Sequence, residues 1–96
     1  MHRLRVTRLA ERDLIDIWAY TRERWDADQA DKYLDALDRA IHRLAANPEL
    51  GVRRDYVRKG YRVFFVHRHA VYYTATSTAI RIIRVLHGQM DPSSHL

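Results

Sequence analysis

The sequence has 96 residues, with 17 Lys and Arg, 12 Asp and Glu and no cysteine, which gives a formal net charge of +5. This length suits one domain with one hydrophobic core, and residues 1–96 are expected to form it. The lack of cysteine excludes disulfides and thiolate zinc sites. No apolar run approaches the roughly 18 residues that span a bilayer, and the first residues lack an apolar signal segment, so we expect a cytoplasmic protein without membrane contact.

The charge is distributed unevenly along the chain. Residues 1–48 carry nine basic and nine acidic side chains, whereas residues 49–96 carry eight basic and three acidic ones. The whole excess therefore lies in the second half. Such an asymmetry indicates an anionic partner, either nucleic acid or an acidic segment of another protein.

The first half begins with a short strand, because Leu4 and Val6 alternate with polar residues. Thr7 is expected to cap a helix whose apolar residues follow helical spacing as far as Thr21. Residues 25–28 separate this helix from a second one, with Asp26 or Asp28 as the N-cap. The second helix carries a continuous apolar stripe and ends at Asn47-Pro48. Two amphipathic helices joined by a short link predict an antiparallel hairpin.

The second half alternates with a period of two. It predicts a weak strand at Arg54–Arg58 and stronger strands at Tyr61–His67, Ala70–Ala75 and Ile80–His87. The expected turns lie at Lys59-Gly60, Arg68-His69 and Thr76-Ser77-Thr78. The tail, residues 89–96, is expected to be irregular or a single turn.

The order predicts an α+β fold, with an N-terminal strand and a helical hairpin on one face of a mostly antiparallel sheet of four or five strands. Regular pleating in the last strand places one set of side chains together on one face: Ile80, Ile82, Arg84 and Leu86. Because the helices cover only one face, the other is expected to keep exposed apolar and arginine side chains for a partner.

The sequence carries few signs of catalysis. It has no nucleophile motif and no glycine-rich phosphate loop, and we expect no cofactor. His67 and His69 are two apart, and His87 and Asp91 are four apart, which matches no established ligand spacing, so no metal site is expected. His67 and His69 are interpreted as a solvated hairpin tip.

The residues alone leave two functions open. A metal-free ribonuclease needs an acid, a base and fixed cations, which His87 or His95 and three arginines could supply: Arg62, Arg81 and Arg84. A nucleic-acid-binding or interaction module is the other possibility, since four tyrosines could stack on bases or belong to the core: Tyr56, Tyr61, Tyr72 and Tyr73.

Four stretches of the sequence carry a resemblance to a known family. They are Thr7 to Tyr20 with Ala10-Glu11-Arg12-Asp13-Leu14, then Arg24-Trp25 to Tyr33, then Gly60-Tyr61-Arg62, and finally Ile83-Arg84-Val85-Leu86-His87-Gly88-Gln89-Met90-Asp91 closed by His95-Leu96. Together they resemble the ParE branch of the RelE/ParE toxins. Gly-Tyr-Arg is shared with RelE ribonucleases, whereas Arg-Val-Leu-His followed by Met-Asp is similar to ParE. The element order read from periodicity is also the order of this family.

The resemblance implies a toxin of a bacterial type II toxin–antitoxin module that inhibits DNA gyrase and is not an enzyme. The residues expected to carry toxicity are Arg62, Arg84, His87, Met90 and Asp91. Arg84 is alternatively structural, paired with Asp91 or with a helix carboxylate. An indirect contact with DNA is a possible further consequence of the resemblance.

The resemblance also implies a partner, an acidic ParD-like antitoxin that forms a hetero-oligomer with the toxin. Its C-terminal segment is expected over the helical hairpin and the open sheet face, at Trp25, Tyr33, Arg53 and Arg81. The alternative implied by RelE relatives is ribosome-dependent mRNA cleavage by Arg62, Arg84 and His87. Gly88, Gln89 and Met90 offer no cation for phosphate, and Asp91 would repel it, which argues against cleavage.

Overall fold

Two helices pack on one face of a five-stranded sheet in the computed structural model, which describes residues 2–96. The elements in chain order are β1 (Arg3–Val6), α1 (Arg8–Arg24), α2 (Ala27–Ala46), β2 (Val52–Arg53), β3 (Arg62–Val66), β4 (His69–Ala75) and β5 (Ala79–His87). Single 3-10 turns occupy Pro48–Leu50 and Pro92–Ser94, the second of them within the expected irregular tail. Within residues 2–96, no helix has the length and apolar character needed to cross a membrane.

The sheet has the strand order β1-β5-β4-β3-β2. β1 runs parallel to β5, and the other three pairs are antiparallel. The predicted α+β fold is therefore confirmed, with five strands. The parallel pair arises because the helical hairpin carries the chain across the sheet before the antiparallel meander begins.

Capping side chains define both helix starts, as predicted. Thr7 Oγ1 accepts a hydrogen bond from the Ala10 N–H at 3.1 Å. Asp26 Oδ1 accepts from the Gln29 N–H at 2.7 Å, so Asp26 rather than Asp28 is the N-cap of α2. Each cap satisfies a first-turn N–H that has no partner within its own helix.

Tyr73 is completely buried in the core between the helices and the sheet. Its hydroxyl donates to the Pro48 carbonyl at 2.6 Å and accepts from the Gly51 N–H at 2.8 Å. A Cβ on Gly51 would lie 2.3 Å from this hydroxyl oxygen, so only glycine fits there. The tyrosine thereby fixes the link from α2 to β2 against the sheet.

A bulge in β5 overturns the predicted sorting of its side chains. The pairing with β4 shifts between Tyr72 and Tyr73, which face Arg84 and Ile82 respectively and leave Ile83 as the extra residue. The prediction placed Ile82 and Leu86 on one face, and this was wrong. Ile82 packs in the helix-side cluster, whereas Leu86 packs with Val63, Ala70 and Tyr72 on the opposite face. One inserted residue reverses the alternation beyond it.

The opposite face is only partly open. The small cluster of Val63, Ala70, Tyr72 and Leu86 is covered by Leu96 from the C-terminal tail. Val52, Phe65 and Arg81 are exposed, in keeping with the expected mixture of apolar and arginine side chains.

Two local predictions in the second half were also wrong. Residues 54–58 do not form a strand, because Asp55 Oδ1 accepts from the Gly60 N–H at 2.9 Å and closes a loop there. Gly60 has φ +85°, which suits glycine in this loop. The β3–β4 turn lies at His67-Arg68 rather than Arg68-His69, with His67 at φ 53°, and His69 already belongs to β4.

Candidate functional site

The free end of β5 is joined to α1 by Asp13 and Arg84. β1 pairs with β5 only as far as Val6 and Ile82, so the last part of β5 has no strand on that side. Asp13 fills this position. Its carboxylate accepts from Arg84 Nε and Nη2, both at 2.8 Å, and from the Val85 N–H at 2.9 Å.

This pair is largely removed from solvent, with side-chain exposures of 17% for Arg84 and 12% for Asp13. The hydrogen bonds to Asp13 raise the pKa of Arg84. Arg84 Nη1 also donates to the His95 carbonyl at 3.0 Å. Arg84 therefore connects α1, β5 and the C-terminal tail. The structural alternative for Arg84, pairing with a helix carboxylate, is confirmed in this geometry.

Asp91 is engaged elsewhere. Its carboxylate accepts from the Ser93 N–H at 3.1 Å and from the Ser93 hydroxyl at 2.8 Å, and these bonds lower its pKa. It caps the 3-10 turn of the tail and forms no ion pair with Arg84.

His69 lies beside the Asp13–Arg84 pair and is half-buried. The interpretation of His69 as a solvated residue of a hairpin tip was therefore wrong. Tyr33 of α2 lies 2.6 Å from His69 Nδ1, and its hydroxyl oxygen accepts from the Arg68 N–H at 3.3 Å. The hydroxyl proton is thus free to bond Nδ1, which places the histidine proton on Nε2. Burial first, and then the neighbouring His87, lower the pKa of His69 to about 4.

His69 and His87 are register partners on β4 and β5, with ring centroids 5.5 Å apart at 76°. His87 Nδ1 accepts from the Gln89 N–H at 3.2 Å. The two rings separate two neighbouring cavities, both of which they line together with Tyr20. We call these the tail cavity and the hairpin cavity.

The tail cavity has a volume of about 420 Å³ and is lined by α1, β5 and the tail. Its walls include Ile17, Val85 and Met90, with Asp13 and Arg84 on one side. The hairpin cavity, of about 290 Å³, lies at the link between the helices. Trp25 and Tyr33 line it together with Arg24 and Arg68. The two cavities together form one groove. Trp25 is 70% exposed and Tyr20 is 61% exposed, so this groove presents aromatic surface to solvent.

Comparison of the sequence with known proteins identifies the family to which the chain belongs. Residues 4–92 match the sequence model of the family described as ParE toxin of type II toxin-antitoxin system, parDE. The chain belongs to the ParE toxin family. Toxin ParE1 of Mycobacterium tuberculosis is 42% identical over 88 residues, covering 91% of this chain and 90% of the relative. Toxin ParE1 of Caulobacter vibrioides is 38% identical over 92 residues, covering 96% and 95%.

A chain from the solved structure of the chromosomal ParDE TA system from P. aeruginosa superposes with a TM-score of 0.80. The match covers 91% of this chain and 96% of that one at 20% identity. At this identity the likeness supports the fold, and it agrees with the two-helix, five-strand arrangement described above.

In this ParE-family chain the residues expected to carry toxicity are not all together. Arg84, His87 and Met90 line the tail cavity. Arg62 starts β3 and donates to the Gly51 carbonyl at 2.8 Å, beside a different cavity. The ribonuclease set of Arg62, Arg84 and His87 therefore does not converge on one cavity.

The residues expected at the antitoxin surface of the ParE-family chain divide in the same way. Trp25 and Tyr33 share the hairpin cavity. Arg53 lies on β2, paired with Asp55 at 3.0 Å, and Arg81 lies exposed on β5. Base stacking by Tyr73 is excluded by its burial, whereas Tyr56 is 82% exposed.

Sequence reasoning missed three members of the groove in this ParE-family chain, namely Asp13, His69 and Arg68. Asp13 appeared in the sequence only as part of the stretch that resembles ParE, with no partner assigned to it. Its partner could not be identified because the bulge decides where Arg84 emerges. Among residues 2–96, no cluster of three or more histidine or carboxylate side chains is arranged to hold a metal ion.

Proposed function

We propose that this chain is the toxin of a two-component module, that it acts in the cytoplasm by inhibiting DNA gyrase, and that an acidic antitoxin neutralises it. The match of residues 4–92 to the ParE toxin family carries this proposal. In this role the chain binds its target and does not itself catalyse a reaction.

The state of the ionisable side chains supports a binding role. Asp13 neutralises Arg84 through two hydrogen bonds, so this guanidinium has little capacity left for a phosphate. His69 has a pKa of about 4 and is uncharged at neutral pH. Arg62 lines a different cavity from His87. A ribonuclease would need an acid, a base and a free cation around one phosphate.

The tail cavity is the surface that we assign to the target. His87 and Met90 line it, together with apolar side chains of α1 and β5 and with the Asp13–Arg84 pair. Met90 is 38% exposed and flexible in shape, which suits an apolar contact with another protein. Asp91 and Arg62 lie outside this cavity lining and are assigned supporting roles in the tail and the sheet.

The hairpin cavity is the surface that we assign to the antitoxin. Trp25 offers a large exposed aromatic anchor, and Arg24 and Arg68 offer cations for the carboxylates of an acidic segment. Because both cavities share Tyr20, His69 and His87, an antitoxin segment in one would overlap a target in the other. Neutralisation would then follow from direct competition.

The decisive experiment adds the purified chain to gyrase, ATP and relaxed plasmid. We expect loss of supercoiling and accumulation of cleaved DNA. Met90→Ala should weaken inhibition at least tenfold, whereas Leu50→Ala should retain it. Leu50 is a matched control because it is 37% exposed, close to the 38% of Met90, and lies outside the tail cavity.

Two outcomes would contradict the proposal. Unchanged supercoiling at a large excess of folded chain would exclude gyrase as the target. Cuts in mRNA on translating ribosomes that disappear in His87→Ala would instead establish the ribonuclease function.

A further inference from the structure

Three arginines lie together on the sheet face opposite the helices. Leu4 and Val6 pack against the helix-side core, so Arg3 and Arg5 project from the other face of β1. Ile80 and Ile82 pack in the same core, so Arg81 also projects from that other face. All three side chains are exposed. We call them the arginine patch.

The strand register brings the arginine patch into a row. Arg5 and Arg81 are direct partners across the parallel β1–β5 pair, and Arg81 is in turn the partner of Thr74 on β4. Neighbouring strands are about 4.8 Å apart. Two like charges held opposite each other at this spacing destabilise a sheet. The fold therefore holds an unfavourable pair on a surface where neutral residues would be better tolerated.

Nothing in the described chain neutralises the patch. The ion pairs among residues 2–96 are Asp38 with His42, Asp55 with Arg53 and Asp13 with Arg84, and none includes the three arginines. Residues 2–10 and 56–90, which contain β1, β4 and β5, have no Asp or Glu. The charge must be met by water, by salt or by an anionic partner.

The surroundings of the patch favour phosphates over a peptide. Exposed large apolar side chains occur on α1, at the helix link, around β2 and β3 and in the tail, and none lies on β1 or β5. A peptide interface needs an apolar centre for most of its binding energy. Thr74 is the register partner of Arg81, so its side chain shares the face of the patch, and Thr78 lies next to Arg3, whose N–H donates to the Thr78 carbonyl at 2.8 Å. Arginine and threonine side chains are the usual donors to a nucleic-acid backbone.

We propose that the arginine patch binds the phosphate backbone of double-stranded DNA without reading its sequence. The phosphate chemistry follows from the patch, and the choice of DNA rests on the proposed gyrase target, which acts on that duplex. The contact would be direct, made by the toxin itself, and separate from the groove that binds protein. It would hold the toxin beside DNA that gyrase also engages.

The test measures binding of a fluorescent 20-base-pair duplex to the full chain, without gyrase, between 50 and 200 mM salt. We expect weak binding with a Kd of about 10⁻⁴ to 10⁻⁶ M and a slope of log K against log salt of about −2.7, because each neutralised phosphate contributes about −0.9. The double variant Arg5→Gln with Arg81→Gln should reduce the slope to about −0.9 and the affinity at least fivefold.

The control variant combines Arg12→Gln with Arg39→Gln. It has the same net charge as the test variant, and both of its positions are exposed on helices. It should keep most of the affinity. Equal losses in the two double variants would overturn the proposal, since they would show attraction by net charge alone.

Binding of a peptide of twenty glutamates tests the alternative that the patch binds an acidic protein. Loss of peptide binding without loss of DNA binding in the Arg5 and Arg81 variant would also overturn the proposal, in favour of an acidic protein partner. Thermal unfolding checks that the variant folds. Because the change removes a repulsive pair, its midpoint should be equal to or above that of the natural chain. If the chain binds DNA but does not inhibit gyrase, the proposal for the arginine patch stands and only the proposed target is rejected.

Discussion

The Asp13 carboxylate and the Arg84 guanidinium form a two-pronged ion pair between residues that are 71 positions apart in the sequence. The same carboxylate also accepts from the Val85 N–H, so one side chain of α1 takes the place of a strand at the free edge of β5. Positions of the tail and of the tail cavity depend on this pair, because Arg84 holds the His95 carbonyl.

We expect Asp13→Asn to lower the free energy of unfolding by about 2–4 kcal/mol, because it leaves a mostly buried guanidinium without its counter-charge. Urea denaturation measures the change. Asp55→Asn is the control, since its pair with Arg53 is well exposed and should contribute little to stability. Similar effects of the two substitutions would show that Asp13 does not lock α1 to β5.

The Tyr73 hydroxyl supports the second prediction. Tyr73→Phe removes the partner of both the Pro48 carbonyl and the Gly51 N–H in a buried place, which should cost about 2–3 kcal/mol. Tyr56→Phe, at an 82% exposed position, should change stability by less than about 0.5 kcal/mol.

Gly51→Ala tests the same corner by overpacking. Its Cβ would lie 2.3 Å from the Tyr73 hydroxyl oxygen, so the alanine variant should also be destabilised. Combining Gly51→Ala with Tyr73→Phe should cost less than the sum of the two changes, because the phenylalanine ring relieves the closest contact. Additive costs in a double-mutant cycle would contradict this account.

Most of the fold could be predicted from the sequence, because its signals are local. Thr7 and Asp26 are capping residues just before apolar stripes, and Asn47-Pro48 stops a helix by its own geometry. The β-branched and aromatic residues of β4 and β5 predict these two long strands. None of these signals requires knowledge of a distant contact.

The site could be predicted only in part, because its geometry depends on one inserted residue. The bulge at Ile83 is the pairing shift that separates Ile82 from Leu86, and alternation alone cannot reveal it. His69 resembled a solvated turn residue because its partner, Tyr33, lies 36 positions away on α2. His87 and Met90 are close in sequence, and both line the tail cavity.

The antitoxin surface yields a fourth prediction. Trp25→Ala should weaken binding of the antitoxin encoded beside this chain by at least tenfold, because it removes the large exposed anchor of the hairpin cavity. Isothermal titration of the purified pair measures the affinity. Tyr56→Ala serves as the control, being an exposed aromatic outside that cavity. An unchanged affinity in Trp25→Ala would move the antitoxin surface elsewhere.

The arrangement around His69 makes stability depend on pH. The groups that face it are Tyr33 from α2, Asp13 from α1, His87 from β5 and Arg68 from the turn. Burial holds the pKa of His69 at about 4 in the folded chain, whereas an unfolded histidine titrates near 6.5. The unfolded chain therefore binds more protons between these values, and the fold loses stability as the pH falls through that window.

We expect the free energy of unfolding to fall by about 1 kcal/mol between pH 7 and pH 5, after allowance for the partly solvated ring. In His69→Asn this loss should largely disappear, because asparagine offers Tyr33 an acceptor that does not titrate. His42→Asn, at an exposed position on α2, should keep it. If His69→Asn loses as much stability between pH 7 and pH 5 as the natural chain does, another group is responsible for the acid sensitivity.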